Sequence, residues 1–243
     1  KINLQNLPSR GPNGKKLKSS IVAPEGYSLI DCDSSQIEAR VLAWLAGQDD
    51  LTNAFAKGDD VYKHMASSIY NVPSDGVSKD QRFVGKTTIL GAGYGMGAVK
   101  FQLQLQGMGV YIELDEARRI IDIYRSTNGA ISQLWREANN MVQYMARGDS
   151  VQFGKEGVLQ VDARKNAIML PSGLPMFYHG LAAEKSERGY EYTYRTRKGP
   201  NRIYGGKVVE NVCQAIARCI IGHQMILLAK KYKAVLTVHD SII

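Results

Sequence analysis

Two apolar, strand-like runs in this 243-residue chain each lead into an aspartate. The first is Tyr27-Ser28-Leu29-Ile30-Asp31-Cys32-Asp33; the second is Ala234-Val235-Leu236-Thr237-Val238, followed by His239-Asp240. Between them the period changes. A helix is expected after Asp33, with Ser35 as N-cap, Glu38 at capping-box spacing, and Ile37, Val41, Trp44 and Leu45 on one face before Gly47 closes it. From Asp49 to about Arg147 the pattern is helical, in segments near 49–57, 60–70, 78–92, 97–107, 115–126 and 130–147. Turn signals such as Pro73-Ser74-Asp75-Gly76 and Asn128-Gly129 divide them. Residues 150–207 carry short alternating runs (Val158–Val161, Ala167–Leu170, Met176–Tyr178, Glu191–Arg195) split by Gly and Pro, and a long apolar helix is expected from about Val208 to Lys230. The organisation is strand-helix, a helical insert, mixed β, then helix and hairpin.

Asp31 and Asp33 lie two apart on a strand and so face the same side. A hairpin turn would expose Asp240. Each aspartate alone fits an ordinary turn or the start of a helix. Carboxylates brought together from two strands would instead suit Mg²⁺, a hard cation that takes oxygen ligands and can clamp the oxygens of a phosphoryl transfer.

The segment Ser78–Gly97 adds a second chemistry. Ser78 and Gln81 form a capping box, and Arg82, Lys86, Leu90 and Tyr94 follow at steps of four along one face. Two cations a turn apart can hold phosphate oxygens, while the apolar end meets sugar and base. A solvated basic face ending in a glycine-rich turn has the same pattern. Two phosphate motifs fail on spacing: a P-loop ending Gly85-Lys86-Thr87 would need glycine at Asp80, and a dinucleotide fingerprint among Gly91, Gly93, Gly95 and Gly97 would need glycine at Met96 or Ala98.

Composition narrows the class. No uninterrupted apolar run approaches the roughly 18 residues of a membrane span, and no secretory leader is visible. Cys32, Cys213 and Cys219, with four scattered histidines, make no zinc spacing and suit a reducing compartment. The net charge of +8 is concentrated in two places. One is Arg10, Lys15, Lys16 and Lys18; the other runs from Lys185 to Lys207, where Arg188, Arg195, Arg197, Lys198 and Arg202 are interleaved with Tyr190, Tyr192, Tyr194 and Tyr204. Such a mixture fits either a nucleic-acid footprint or a solvated strand with exposed tyrosines. The absence of an initial Met and the apolar end at Ser241-Ile242-Ile243 suggest a fragment of a longer chain.

In order along the chain, the motifs resemble those of the family A DNA polymerases, the group of bacterial DNA polymerase I and many phage replicases. Asp33-Ser34-Ser35-Gln36-Ile37-Glu38-Ala39-Arg40 matches the family's motif A, Arg82-x₃-Lys86-x₇-Tyr94-Gly95 its motif B, and Val238-His239-Asp240 the start of its motif C. Asn3-Leu4-Gln5-Asn6-Leu7-Pro8-Ser9-Arg10 matches the segment preceding motif A. The resemblance implies an α+β fold: a palm with an antiparallel sheet and a mostly helical fingers subdomain. Residues 1–47 would form the N-terminal part of the palm, 48–205 the fingers and connecting β elements, and 206–243 a truncated C-terminal part of the palm.

The resemblance implies template-directed DNA synthesis, with two Mg²⁺ ions and dNTPs on primer-template DNA, by a monomer in the cytoplasm of a bacterial cell. Asp33 and Asp240 would hold the metals, with Asp31 in support. Arg82 and Lys86 would grip the triphosphate, Lys86 also giving a proton to pyrophosphate. Gln36, Leu90 and Tyr94 would complete the dNTP site, and Glu38 would exclude a ribose 2′-hydroxyl. Arg10, Gln214 and His239 would contact DNA. Four positions depart from the bacterial pattern: Leu90 for an aromatic residue, Ser241 for Glu, Tyr62 for His, and Glu210 for Asn. Leu90 suits a phage or prophage origin. A non-catalytic DNA-binding descendant, or another metal-dependent phosphotransferase or nuclease, are the alternatives.

Overall fold

The computed structural model describes residue 16 and residues 19–187 and 189–243. In chain order the elements are strand β1 (Cys32–Asp33), helices α1 (Ile37–Ala46), α2 (Asp49–Lys57), α3 (Val61–Tyr70), α4 (Lys79–Ala92), α5 (Ala98–Gly107), α6 (Leu114–Thr127) and α7 (Gly129–Arg147). Strands β2 (Gln152–Phe153), β3 (Leu159–Asp162), β4 (Ala167–Met169), β5 (Pro175–Phe177), β6 (Ala182–Ser186), β7 (Gly189–Thr196) and β8 (Gly199–Ile203) follow. Helix α8 (Gly205–Leu228), β9 (Thr237–Val238) and β10 (Ser241–Ile242) complete the chain. Helices with antiparallel sheets make this the α+β fold expected. The described residues fall into two compact units, one of residues up to Ile37 with Ala217–Ile243, the other Glu38–Ile216.

In the first unit β10 is the central strand of a three-stranded antiparallel sheet ordered β1-β10-β9. The expected strand at 27–33 shrinks to two residues because β10 offers only Ser241 and Ile242 to pair with Asp33 and Cys32. The expected strand at 234–238 also starts late. Val235 and Leu236 both donate to the carbonyl of Ile243 (2.8 and 3.3 Å), two residues against one, which breaks the regular ladder before Thr237.

The second unit is built on a helical core, where Phe55, Val61, Met65, Ile69, Val84, Phe101, Leu105, Ile120, Ile121 and Tyr124 pack together. Each such side chain contributes roughly 1.5–3 kcal/mol on burial. Helices α3 and α4 approach each other closely at Gly85, where a Cβ would lie 2.3 Å from the Tyr62 carbonyl oxygen. That contact accounts for a glycine in mid-helix. Two further sheets, β2-β3-β4-β5 and β6-β7-β8, complete this unit.

Helix boundaries follow their local signals. The capping box at Ser78 forms in full, with Ser78 Oγ accepting from Gln81 N and Gln81 Oε1 accepting from Ser78 N. Gly47 ends α1 with φ +67°. The box expected at Ser35 is displaced: α1 begins at Ile37 behind a turn closed by Ile37 N donating to Ser34 O, and Gln36 takes φ +56°. Helix α8 is long and apolar enough to cross a membrane by length and composition alone, but Val208, Val209, Val212 and Cys213 in its first half are fully buried in the protein.

Candidate functional site

Asp33 and Asp240 lie on neighbouring backbone segments of the first unit. Asp33 pairs with Ser241 in the β1–β10 ladder, and the amide of Ser34 donates to the carbonyl of Asp240 (3.0 Å), so the two carboxylate-bearing residues sit beside each other on adjacent chains. Ser241 Oγ donates to Asp33 Oδ1 (3.3 Å). Ser34 Oγ donates to Gln224 Oε1 on α8 (3.1 Å), fixing the segment just after Asp33. Asp31 precedes β1 and is exposed.

His239 and Asp240 are the two loop residues of the β9–β10 hairpin, whose last pair is Val238 with Ser241. His239 is exposed and takes φ +54°. A left-handed conformation costs a non-glycine residue roughly 1–2 kcal/mol. Gln36, in the turn after Asp33, is similarly placed, so a strained non-glycine residue accompanies each aspartate. Such strain persists where the surroundings impose it and clusters at functional sites.

In the second unit Arg82, Lys86 and Leu90 lie along one face of α4. Lys86 and Leu90 are exposed, and Arg82 is half-buried. Arg82 Nε donates to Asp60 Oδ2 at 2.7 Å, and the guanidinium carbon lies 5.3 Å from the Tyr62 ring centroid. Lys86 Nζ lies 5.9 Å from the same centroid, so one ring faces both cations. Asp60 also caps α3 by accepting from the amides of Tyr62 and Lys63. Burial tends to raise the Asp60 pKa, but the Arg82 bond, the two amides and the Arg82 charge outweigh it and hold the carboxyl below its ordinary value. Asp60 was not among the residues singled out from sequence. An aspartate immediately before an apolar helical run is an N-cap signal that could have found it.

Tyr94 falls beyond the end of α4, in a turn, rather than continuing the helical stripe. The turn is held by Trp135 Nε1 donating to the Gly93 carbonyl (2.8 Å) and by the close approach of Gly206, where a Cβ would lie 2.4 Å from the Tyr94 carbonyl oxygen. Tyr94 Oη donates to Glu38 Oε2 at 3.1 Å. Burial, the nearby Cys213 and the Glu38 carboxylate push the Tyr94 phenol far above its ordinary pKa, so it remains a donor. Burial and Glu38 raise the Cys213 thiol as well.

Gln214 is exposed on α8, and Glu210 one turn earlier binds Lys207 Nζ (3.0 Å). Arg10, Lys15, Lys18 and Arg188 lie outside the described residues.

Similarity to known proteins now decides the family. The family model for DNA polymerase family A matches residues 1–165. The chain belongs to DNA polymerase family A. DNA polymerase I of Pseudomonas aeruginosa is 40% identical over 122 residues, 50% of this chain and 13% of that protein. DNA polymerase I of Thermus aquaticus is 38% identical over the same length, again 50% of this chain and 14% of the relative. The DNA polymerase of Bacillus phage SP02 is 29% identical over 237 residues, 92% of this chain and 36% of the phage protein. The POL domain of Pol1 from M. smegmatis, solved in complex with DNA primer-template and dNTP, shares the fold at a TM-score of 0.63 and 22% identity, covering 99% of this chain and 37% of that one. The family A chain thus spans only part of each relative.

The donor chemistry of the aspartate pair fits Mg²⁺. Asp33, Asp240 and Ser241 offer only oxygen, and Mg²⁺ is commonly held by one or two carboxylates plus waters and substrate phosphates. Among the described residues no group of three or more His, Cys, Asp and Glu is placed to hold a metal.

Proposed function

We propose that this chain is the catalytic part of a template-directed DNA polymerase, joining a dNTP to a primer 3′-hydroxyl with release of pyrophosphate. The observation that carries the reading is that Asp33, paired with Ser241 in β1–β10, lies beside the hairpin loop that holds Asp240, whose carbonyl accepts from the Ser34 amide, in a family A protein. Two Mg²⁺ ions, when bound, would supply Lewis acidity at the attacking hydroxyl and neutralise charge on the triphosphate. Asp33 and Asp240 are the residues that would hold them, and Ser241 would orient Asp33.

In the second unit Arg82 and Lys86 bind and orient the triphosphate as neighbouring cations, with Lys86 delivering a proton to the leaving pyrophosphate. Leu90, Gln36 and Tyr94 border the nucleotide. Glu38, held by the Tyr94 hydroxyl, excludes the ribose 2′-hydroxyl. Gln214 and His239 contact DNA, as does Arg10. On this reading residues 1–47 and 206–243 are palm, and residues 48–205 are fingers with connecting β elements. The likeness to the SP02 polymerase favours a phage or prophage origin, with action as a monomer in the bacterial cytoplasm.

Primer extension by the full-length protein tests the proposal. With Mg²⁺ and four dNTPs the product should follow the template and release pyrophosphate. Asp33→Ala should lower the rate by roughly 10³-fold, the loss of several kcal/mol of transition-state charge stabilisation. Hydrolysis without synthesis, or extension undiminished in Asp33→Ala, would refute it.

A further inference from the structure

One surface of the Glu38–Ile216 unit has no part in the reaction above: the β7–β8 turn and the end of β5. Thr196 pairs with Gly199 and leaves Arg197 and Lys198 as the two loop residues. The turn is fixed internally. Thr196 Oγ1 donates to the Gly199 carbonyl (2.8 Å) and accepts from Lys198 N (3.2 Å), while Gly199 takes φ +114°, which glycine alone adopts readily. Residues 195–198 are all exposed, and no acidic residue occurs between Arg195 and Tyr204.

Arg195 ties this turn to a second feature. Its amide donates to the carbonyl of His179 (2.8 Å), and its side chain lies over Gly180, where a Cβ would come within 2.6 Å of Nε. His179 in turn stacks on Phe177, with centroids 5.0 Å apart and planes 11° from parallel. Both residues are exposed, Phe177 by 44%. Arg195 therefore joins an exposed aromatic pair to a fixed turn that carries two further cations, Arg197 and Lys198.

Two of the interleaved tyrosines are packed away from this turn. Tyr190, Tyr192 and Tyr194 alternate onto the sheet face opposite Arg195, where Tyr194 packs edge-on against buried Tyr178 (5.1 Å) and Tyr192 pairs with buried Ile203. Arg202 is paired with Glu191 at 2.9 Å. Tyr192 and Tyr194 are thus packing residues while Tyr190 and Tyr204 stay exposed, and the aromatic pair joined to Arg195 is Phe177 with His179.

We propose that this surface binds single-stranded nucleic acid, with phosphates on Arg195, Arg197 and Lys198 and a base against the Phe177–His179 pair. Cations beside an exposed aromatic face suit a strand whose bases are unstacked; a duplex offers its phosphates but not its base faces. The inference deepens the polymerase reading, on which it rests only for the source of the strand, an unpaired template.

Fluorescence anisotropy with a dT oligonucleotide and the full-length protein tests it. In Arg197→Ala/Lys198→Ala the Kd at 50 mM salt should rise about tenfold, and the slope of log K against log salt should fall by about 1.4, two single-strand phosphate contacts. Phe177→Ala should weaken binding about tenfold with the slope unchanged. Unchanged affinity in both variants overturns the proposal. Equal losses on a blunt duplex, or preferential tip-dependent binding of an acidic polypeptide, also overturn it. Primer extension separates the two readings: tip-dependent oligonucleotide binding by a protein that cannot extend a primer sinks the polymerase reading and supports this one.

Discussion

Arg82 and Asp60 form a 2.7 Å ion pair that joins the basic face of α4 to the N-cap of α3. The same carboxylate thus starts one helix and aims a cation of the next. Both side chains keep more than a third of their surface in solvent, so the pair adds little to stability. Its importance lies in orientation, since a guanidinium held by one carboxylate and one ring has fewer conformations to lose on meeting a phosphate.

Asp60→Asn isolates that effect, because asparagine retains the capping ability while removing the charge. We expect the KM for dNTP to rise about five- to tenfold with kcat nearly unchanged, measured by single-nucleotide insertion. An unaltered KM would show that Arg82 needs no such guide. A pH signature accompanies it. The folded pKa of Asp60 lies below its ordinary 3.8, so the pair's small contribution is complete above that value and is lost as pH falls through the folded pKa. Acid unfolding of Asp60→Asn should lack this component.

Glu38 and Tyr94 lead to a prediction about sugar selection. Glu38→Ala should relax the preference for dNTP over rNTP by about 10²-fold in single-nucleotide insertion with Mg²⁺. Tyr94→Phe retains the carboxylate but removes its 3.1 Å donor, and should relax selection by roughly two- to tenfold, the worth of one hydrogen bond. Equal rNTP/dNTP ratios in wild type and Glu38→Ala would exclude a steric gate.

Leu90 bears on speed. It is 43% exposed on the same face as Lys86, where an aromatic ring could stack on an incoming base. Leu90→Phe should raise the pre-steady-state insertion rate by about two- to tenfold, the range of one aromatic contact. Equal rates would place the nucleotide away from this position.

The helices were legible because their signals are local. The 49–57 segment forms as expected and the Ser78–Gln81 box closes. Strands β6 and β8 went unseen: neither alternates clearly in polarity, and both exist by pairing with β7. Ser35 looked like a cap because its neighbours have capping-box spacing, yet the Ser34–Ile37 turn that follows β1 carries the chain past it before α1 begins. Within the candidate site, sequence named Arg82, Tyr94, Asp33 and Glu38, but neither Asp60 nor the contacts that join these residues to one another. Asp60, Glu38 and Ser241 reach Arg82, Tyr94 and Asp33 only through tertiary contacts, and 208 positions separate Asp33 from Ser241.

Gly85 provides a stability test independent of activity. Alanine would gain about 1 kcal/mol of helix propensity at this position. Against that, its Cβ would meet the Tyr62 carbonyl oxygen at 2.3 Å and the Ala66 amide nitrogen at 3.0 Å, backbone atoms that cannot swing aside. Overpacking of this kind typically costs 1–3 kcal/mol, and a direct backbone collision belongs at the upper end. We expect Gly85→Ala to be destabilised by about 1–2 kcal/mol net, lowering the Tm by several degrees in thermal unfolding of the full-length protein. Gly76→Ala is the matched control, because a Cβ there meets nothing within 4 Å and the backbone is not left-handed. Its Tm should stay constant or rise slightly. If Gly85→Ala were instead as stable as the control, the α3–α4 crossing would tolerate a wider spacing, and Tyr62 would lose its fixed place beneath Arg82 and Lys86.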